Sequence, residues 1–169
     1  LSPTGTGKTL AYLLPLIQCL NADIDDIQAV VLVPGRELAL QSSVVLKDMG
    51  CGLRTASLYG GRMTMEEHKM LRQVKPQIVF ATPGRLNDHL NKGNILPYAI
   101  KYLVIDEFDK CLEMGFRDEM KSIIDKLIGL KRHILLSATN TDDMPDFVNM
   151  GQTTRLDYTP KENNISERV

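Results

Sequence analysis

Short runs of β-branched and apolar residues alternate along this chain with longer stretches in which apolar residues recur three or four positions apart. The runs fall at 29–33 (AVVLV), 54–59 (RTASLY), 77–81 (QIVFA), 102–105 (YLVI) and 133–136 (HILL), with a sixth at 154–158 (TRLDY). Several are apolar throughout, which fits strands covered on both faces, as in a parallel sheet between helix layers. The stretches between them read as helices at 10–20, 37–49, 64–74 and 116–130. In the last, Met120, Ile123, Ile124, Leu127 and Ile128 form an apolar stripe. In the third, Thr64 with Glu67 three residues on has the pattern of a capping box. Strand then helix, repeated, predicts a doubly wound α/β domain whose ligands sit at the carboxyl ends of the strands. No internal repeat or low-complexity segment interrupts it, and 160–169 reads as polar linker.

Composition adds boundaries. The 169 residues suit one domain with one core. No apolar run approaches the length of a membrane-spanning helix. A net charge of -1 means that any nucleic-acid contact must be local, resting on a few arginines and on backbone N–H groups. Cys19, Cys51 and Cys111 are odd in number and widely spaced, which argues for reduced thiols, hence a cytoplasmic protein, rather than a disulfide framework or a zinc site. His68, His89 and His133 are scattered and read as surface or cap residues, and Met63, Met65, Met70, Met114 and Met120 as core or helix-face residues.

Two segments carry chemistry. Residues 2–9, SPTGTGKT, approach the pattern G-x-x-x-x-G-K-[ST], with Ser2 where the pattern begins with Gly. Gly5 and Gly7 let the backbone turn its N–H groups toward phosphate oxygens, with Thr4 and Thr6 in the same loop, and the following helix adds the positive end of its dipole. Lys8 can reach β- and γ-phosphates, and the Thr9 hydroxyl can coordinate Mg²⁺. Taken alone, the segment also fits a glycine-rich turn opening a helix. Residues 102–109, YLVIDEFD, run an apolar strand into carboxylates. Asp106 is placed to hold Mg²⁺, through water, and Glu107 to orient an attacking water as general base. Taken alone, these acids also fit a helix N-terminus.

Further motifs follow in order: PGRELA at 34–39, the doublet Gly60 and Gly61, TPGR at 82–85, DEFD at 106–109 and SAT at 137–139. Together with residues 2–9 they resemble the DEAD-box family of superfamily 2 helicases over essentially the whole chain. The resemblance implies a RecA-like P-loop NTPase domain spanning 1–159, with a mostly parallel sheet and helices on both faces. It implies nucleotide binding by Thr4, Gly5, Thr6, Gly7, Lys8 and Thr9, and catalysis by Lys8, Asp106 and Glu107 with ATP and Mg²⁺. It implies an RNA backbone held by Pro34, Gly35, Arg36, Gly60, Gly61, Thr82, Pro83, Gly84 and Arg85. The chemistry is consistent: Pro34 and Pro83 suit the first turn of a helix, where exposed N–H groups bind phosphate without reading sequence. Asp109, Ser137, Ala138 and Thr139 would couple ATP state to closure against a C-terminal RecA-like domain of the same protein, which acts as a monomer.

Two positions depart from the family pattern. Phe108 stands where the family has Ala, so a ring must find room beside the acids. Gly35 stands where it has Thr, which removes a hydroxyl and one hydrogen bond of about 0.5–1.5 kcal/mol. The family's adenine-reading segment and first strand would precede Leu1, and its arginine fingers would come from the second domain, so the 169 residues by themselves are expected to be nearly inactive. The expected activity is ATP-dependent RNA remodelling. The alternatives are an ATP-dependent RNA clamp with slow turnover and a related DNA helicase or another P-loop ATPase.

Overall fold

The apolar runs become six parallel strands of one sheet. The computed structural model describes residues 6–138 and 153–157. The elements run α1 (Thr6–Gln18), β1 (Ala29–Leu32), α2 (Arg36–Asp48), β2 (Thr55–Leu58), α3 (Thr64–Val74), β3 (Ile78–Ala81) and α4 (Pro83–Asn91). They continue with β4 (Tyr102–Ile105), α5 (Phe108–Glu113), α6 (Arg117–Lys126), β5 (Arg132–Ser137) and β6 (Thr153–Asp157). The strand order is β2-β3-β1-β4-β5-β6, and every neighbouring pair is parallel. Val31 of β1 lies opposite Phe80 on one side and Val104 on the other.

Alternation along each strand divides the core between two faces. Val30, Leu32, Val79, Ala81, Leu103, Ile105 and Leu135 pack against Leu71 of α3, Leu86 of α4, Phe108 and Cys111 of α5, and Met120 and Ile123 of α6. Ala29, Val31, Ile78, Phe80, Val104 and Leu136 pack against Tyr12, Leu13 and Leu16 of α1 and Ala39 and Leu46 of α2. All four residues of β1 and of β3 are buried, as their unbroken apolar runs predict. Among the described residues no helix is long and apolar enough to cross a membrane.

Several expectations change. The last apolar stripe is shorter than predicted. Helix α6 ends at Lys126, so Met120, Ile123 and Leu127 are buried while Ile128, beyond the helix, is 83% exposed. On α2 the buried positions are Ala39, Ser42, Ser43 and Leu46, three of them small. No capping box forms at α3: its N-cap is Met63 without a side-chain cap bond, Thr64 is the first helical residue, and the Glu67 carboxylate is engaged elsewhere. His89 is fully buried rather than superficial, and His68 and His133 are half-buried. Met120 is buried, whereas Met63, Met65 and Met114 are exposed. Pro34 precedes the N-cap of α2 rather than opening the helix, whereas Pro83 occupies the first turn of α4. The predicted linker at 160–169, and Thr4, Gly5 and Thr139 with it, lie outside the described residues.

Candidate functional site

The connections after β1 and β4 leave in opposite directions across the sheet, so a crevice opens at the carboxyl ends of these two central strands. A cleft of about 420 Å³ lies there, lined by Pro34, Gly35, Glu37, Leu38 and Gln41 on one side and by Glu107, Lys110 and Met114 on the other.

The acids are delivered by β4. Its three buried residues Leu103, Val104 and Ile105 carry the chain to Asp106, whose N–H donates to the Leu32 carbonyl at 2.8 Å. Asp106 is 2% exposed, and its Oδ1 has no hydrogen-bond partner. Burial pushes its carboxyl up from 3.8 to about 6, the positive charge of Lys8 pulls it down, and Glu107 and Asp109 add repulsion. A buried carboxylate oxygen without a partner is unfavourable in isolation and is satisfied by a cation. The chain then turns through Glu107 in the left-handed region (φ 50, ψ 51), rare for a residue with a side chain. Phe108 holds this turn: its ring is fully buried in the core cluster beneath α5. The ring that replaces the family's Ala thus finds room on the side of the chain facing away from the acids. Glu107 keeps 27% of its side chain exposed, with Lys110 Nζ at 3.4 Å.

Lys8 and Thr9 reach the same edge from the start of α1. Gly7 is exposed with open space around the position a Cβ would take, and Thr9 is 2% exposed. Tyr12, one turn on, is fully buried, and burial raises its hydroxyl well above its ordinary value. Asp109 (8% exposed) at the start of α5 and Ser137 (4% exposed) at the end of β5 are both buried on adjacent elements, while Ala138 is exposed.

Three neighbouring turns complete the edge. After β1, Gly35 is the N-cap of α2, with extended backbone, no side-chain cap bond and nothing within 4 Å of where a Cβ would stand. After β2, Gly60 and Gly61 are exposed, and Gly61 has a φ of 99°, which requires glycine. After β3, Thr82 is the N-cap of α4, Pro83 its first residue, and Gly84 and Arg85 follow in the first turn. The Arg36 and Arg62 guanidiniums lie over the Tyr59 ring at 5.1 and 4.5 Å from its centroid. Residues 34–36, 60–61, 82–85 and 106–109, each expected from the sequence, therefore share one edge with Lys8 and Thr9.

Sequence reasoning missed Glu67, Tyr59 and Arg62. The Glu67 carboxylate accepts the Tyr59 N–H at 3.0 Å and lies 2.9 Å from His89 Nε2 and 3.4 Å from Arg85 Nε. The signal was present, a carboxylate nine residues past the end of β2 at Leu58, but it coincided with a capping pattern.

The donors suit a hard divalent cation. Asp106 and Thr9 offer oxygen, and Asp106 Oδ1 lacks a partner. Among the described residues no cluster of three or more acid, His or Cys side chains could hold a metal alone, so such an ion would share its shell with phosphate oxygens or water.

Comparison with known proteins agrees with this geometry. The family profile described as DEAD/DEAH box helicase matches residues 1–147. The chain is 41% identical over 138 residues to "ATP-dependent RNA helicase CshA" of Limosilactobacillus reuteri, covering 80% of this chain and 28% of that protein. It is 37% identical over 171 residues to "ATP-dependent RNA helicase ddx54" of Dictyostelium discoideum, covering 98% of this chain and 16% of that protein. The chain thus spans under a third of these relatives. A hypothetical ATP-dependent RNA helicase from Sulfolobus tokodaii superposes with a TM-score of 0.76 at 32% identity, over 92% of this chain and 46% of that one. Mss116p bound to ssRNA and AMP-PNP gives 0.76 at 34% identity, over 92% and 35%. With its parallel sheet between two helix layers and its motifs gathered at the carboxyl edge, the chain is a RecA-like domain belonging to the DEAD/DEAH box helicase family.

Proposed function

We propose that this domain binds and hydrolyses ATP for an RNA-remodelling protein, an ATP-dependent RNA helicase. The observation that carries the reading is Asp106: a buried, partner-seeking carboxylate at the end of a central strand, electrostatically linked to Lys8 and beside the partly exposed Glu107. Structural carboxylates are rarely left so. The solved structure of Mss116p with ssRNA and AMP-PNP and the names of the curated relatives support the same activity.

In this reading Thr4, Gly5, Thr6 and Gly7 present N–H groups to the phosphates at the start of α1, and Lys8 neutralises the β- and γ-phosphates. Thr9 and Asp106 would hold Mg²⁺, which supplies charge neutralisation at the phosphates. Glu107 orients water in line with the γ-phosphate and accepts its proton. Asp109, Ser137, Ala138 and Thr139 pass the nucleotide state to a second RecA-like domain, which supplies the remaining positive charge. Pro34, Gly35 and Arg36, Gly60 and Gly61, and Thr82 to Arg85 form the RNA face. Backbone N–H groups and the charge of Arg36 at that face contact phosphate and sugar, so one strand is held with little sequence preference. The protein works as a cytoplasmic monomer.

Strand separation tests this. The full-length protein with ATP and Mg²⁺ is expected to release one strand of a short RNA duplex, and EDTA to stop it. Tight ATP-dependent RNA binding without strand release would replace the remodelling reading with a clamp.

A further inference from the structure

Arg85 was expected to meet RNA phosphate, but its guanidinium is already engaged inside the protein. Nη1 donates to Thr64 Oγ1 at 2.7 Å, Nη2 donates to the Arg62 carbonyl at 3.0 Å, and Nε lies 3.4 Å from Glu67 Oε1. Only 15% of its side chain is exposed, against none for Glu67 and His89. Each of its three nitrogens therefore has an oxygen of the protein opposite it.

Those oxygens belong to a different part of the RNA face. Thr64 and Glu67 lie on α3, Arg62 lies in the turn that follows Gly60 and Gly61, and Arg85 lies in the first turn of α4. Glu67 Oε2 also receives the N–H of Tyr59, the residue before the glycine doublet. On its other side Asn94 Nδ2, 3.0 Å from His89 Nδ1, donates to that nitrogen, which leaves the ring proton on Nε2, directed at Glu67 Oε1 at 2.9 Å. Thr64 Oγ1 in turn donates to Asp88 Oδ2 at 3.2 Å. The carboxylate, the ring and the guanidinium thus join the Gly60–Gly61 turn to the start of α4. Meanwhile Arg36 is exposed, and Arg62 keeps 37% of its side chain exposed over Tyr59.

We propose that Arg85 is a positioning residue rather than a phosphate ligand, and that with Glu67 as its buried anchor it sets the spacing between the backbone N–H groups of the glycine doublet and those at the start of α4. The inference rests on the RNA-binding reading above. Its chemical signature is geometric: a brace needs both the fork of an arginine and the Thr64 hydroxyl that accepts from it, whereas a phosphate contact needs the fork but not that hydroxyl. Thr64→Val therefore separates the two, since it keeps every charge and the fork while removing the acceptor, and Arg85→Lys tests the fork.

The test is single-stranded RNA affinity of the full-length protein with a non-hydrolysable ATP analogue, beside RNA-activated ATP hydrolysis. Arg85→Lys is expected to bind RNA about tenfold more weakly than wild type, as weakly as Arg85→Ala, and Thr64→Val several-fold more weakly. In hydrolysis the variants should need more RNA for half-activation yet reach the wild-type kcat at saturation, with ATP affinity unchanged. Wild-type RNA affinity in Arg85→Lys would overturn the brace, and wild-type affinity in Thr64→Val would overturn it and return Arg85 to phosphate contact. A wild-type protein that binds no RNA under any nucleotide condition would instead overturn the RNA reading itself, an outcome the variants cannot mimic.

Discussion

Replacing Asp106 by Asn should stabilise the nucleotide-free domain while removing its function. The carboxyl is 2% exposed, and its pKa lies at about 6 instead of 3.8, mainly through burial. At ~1.36 kcal/mol per unit, that difference amounts to about 3 kcal/mol held against the folded state at neutral pH. The sign follows from proton counts. Between 3.8 and about 6 the folded carboxyl keeps a proton that the unfolded chain has released, so stability falls as pH rises through this window and stays lower above it. Asn carries no charge at any pH, but its buried amide forfeits roughly 1–3 kcal/mol of the gain in unmade hydrogen bonds. A net advantage of up to about 2 kcal/mol near pH 7.5 remains, or up to roughly 8 °C in Tm. Thermal unfolding in EDTA, without nucleotide, should show this gap near pH 7.5 and its reversal near about pH 4, where the charge penalty is gone and the amide's cost remains. With Mg²⁺ and ATP the order should reverse, because the wild type gains more binding energy than a variant that lacks one Mg²⁺ ligand. A gap independent of pH, or a variant less stable at neutral pH, would refute the reasoning.

Other consequences are equally direct. Glu107→Gln should retain ATP binding and lose hydrolysis by about 10²–10⁴-fold in single-turnover assays; persistent turnover would remove Glu107 as general base. Phe108→Ala should lower stability by about 3–5 kcal/mol in denaturant unfolding, because a fully buried ring leaves a cavity beneath α5; a loss below about 1 kcal/mol would mean that the turn at Glu107 does not depend on it. Gly61→Ala should cost about 1 kcal/mol or more from its φ of 99° and weaken RNA binding, as read by unfolding and by titration with single-stranded RNA.

The parallel sheet was legible because β1 and β3 are apolar at every position, a pattern that only two-sided coverage explains. That Lys8, Asp106 and Glu107 share one edge was legible because a glycine-rich helix start and an acidic strand end both belong at the carboxyl edge of a parallel sheet. What sequence could not supply was direction. Thr64 and Glu67 have capping-box spacing, yet the carboxylate bends toward Tyr59, Arg85 and His89, because an ion pair formed across two helices satisfies more donors than one local cap. His89 looked superficial because its partners, Glu67 and Asn94, are brought together only by folding. Arg85 was identified as important, but the internal direction of its guanidinium depends on α3 lying beside α4. The buried face of α2 was hidden because three of its four buried residues are small.

Steady-state ATP hydrolysis by the full-length protein, with single-stranded RNA, with single-stranded DNA and with neither, tests the central claim most directly. The account predicts slow turnover alone, strong acceleration by RNA and little by DNA, all abolished by Lys8→Ala. Turnover that ignores RNA, or that responds as well to DNA, would contradict it.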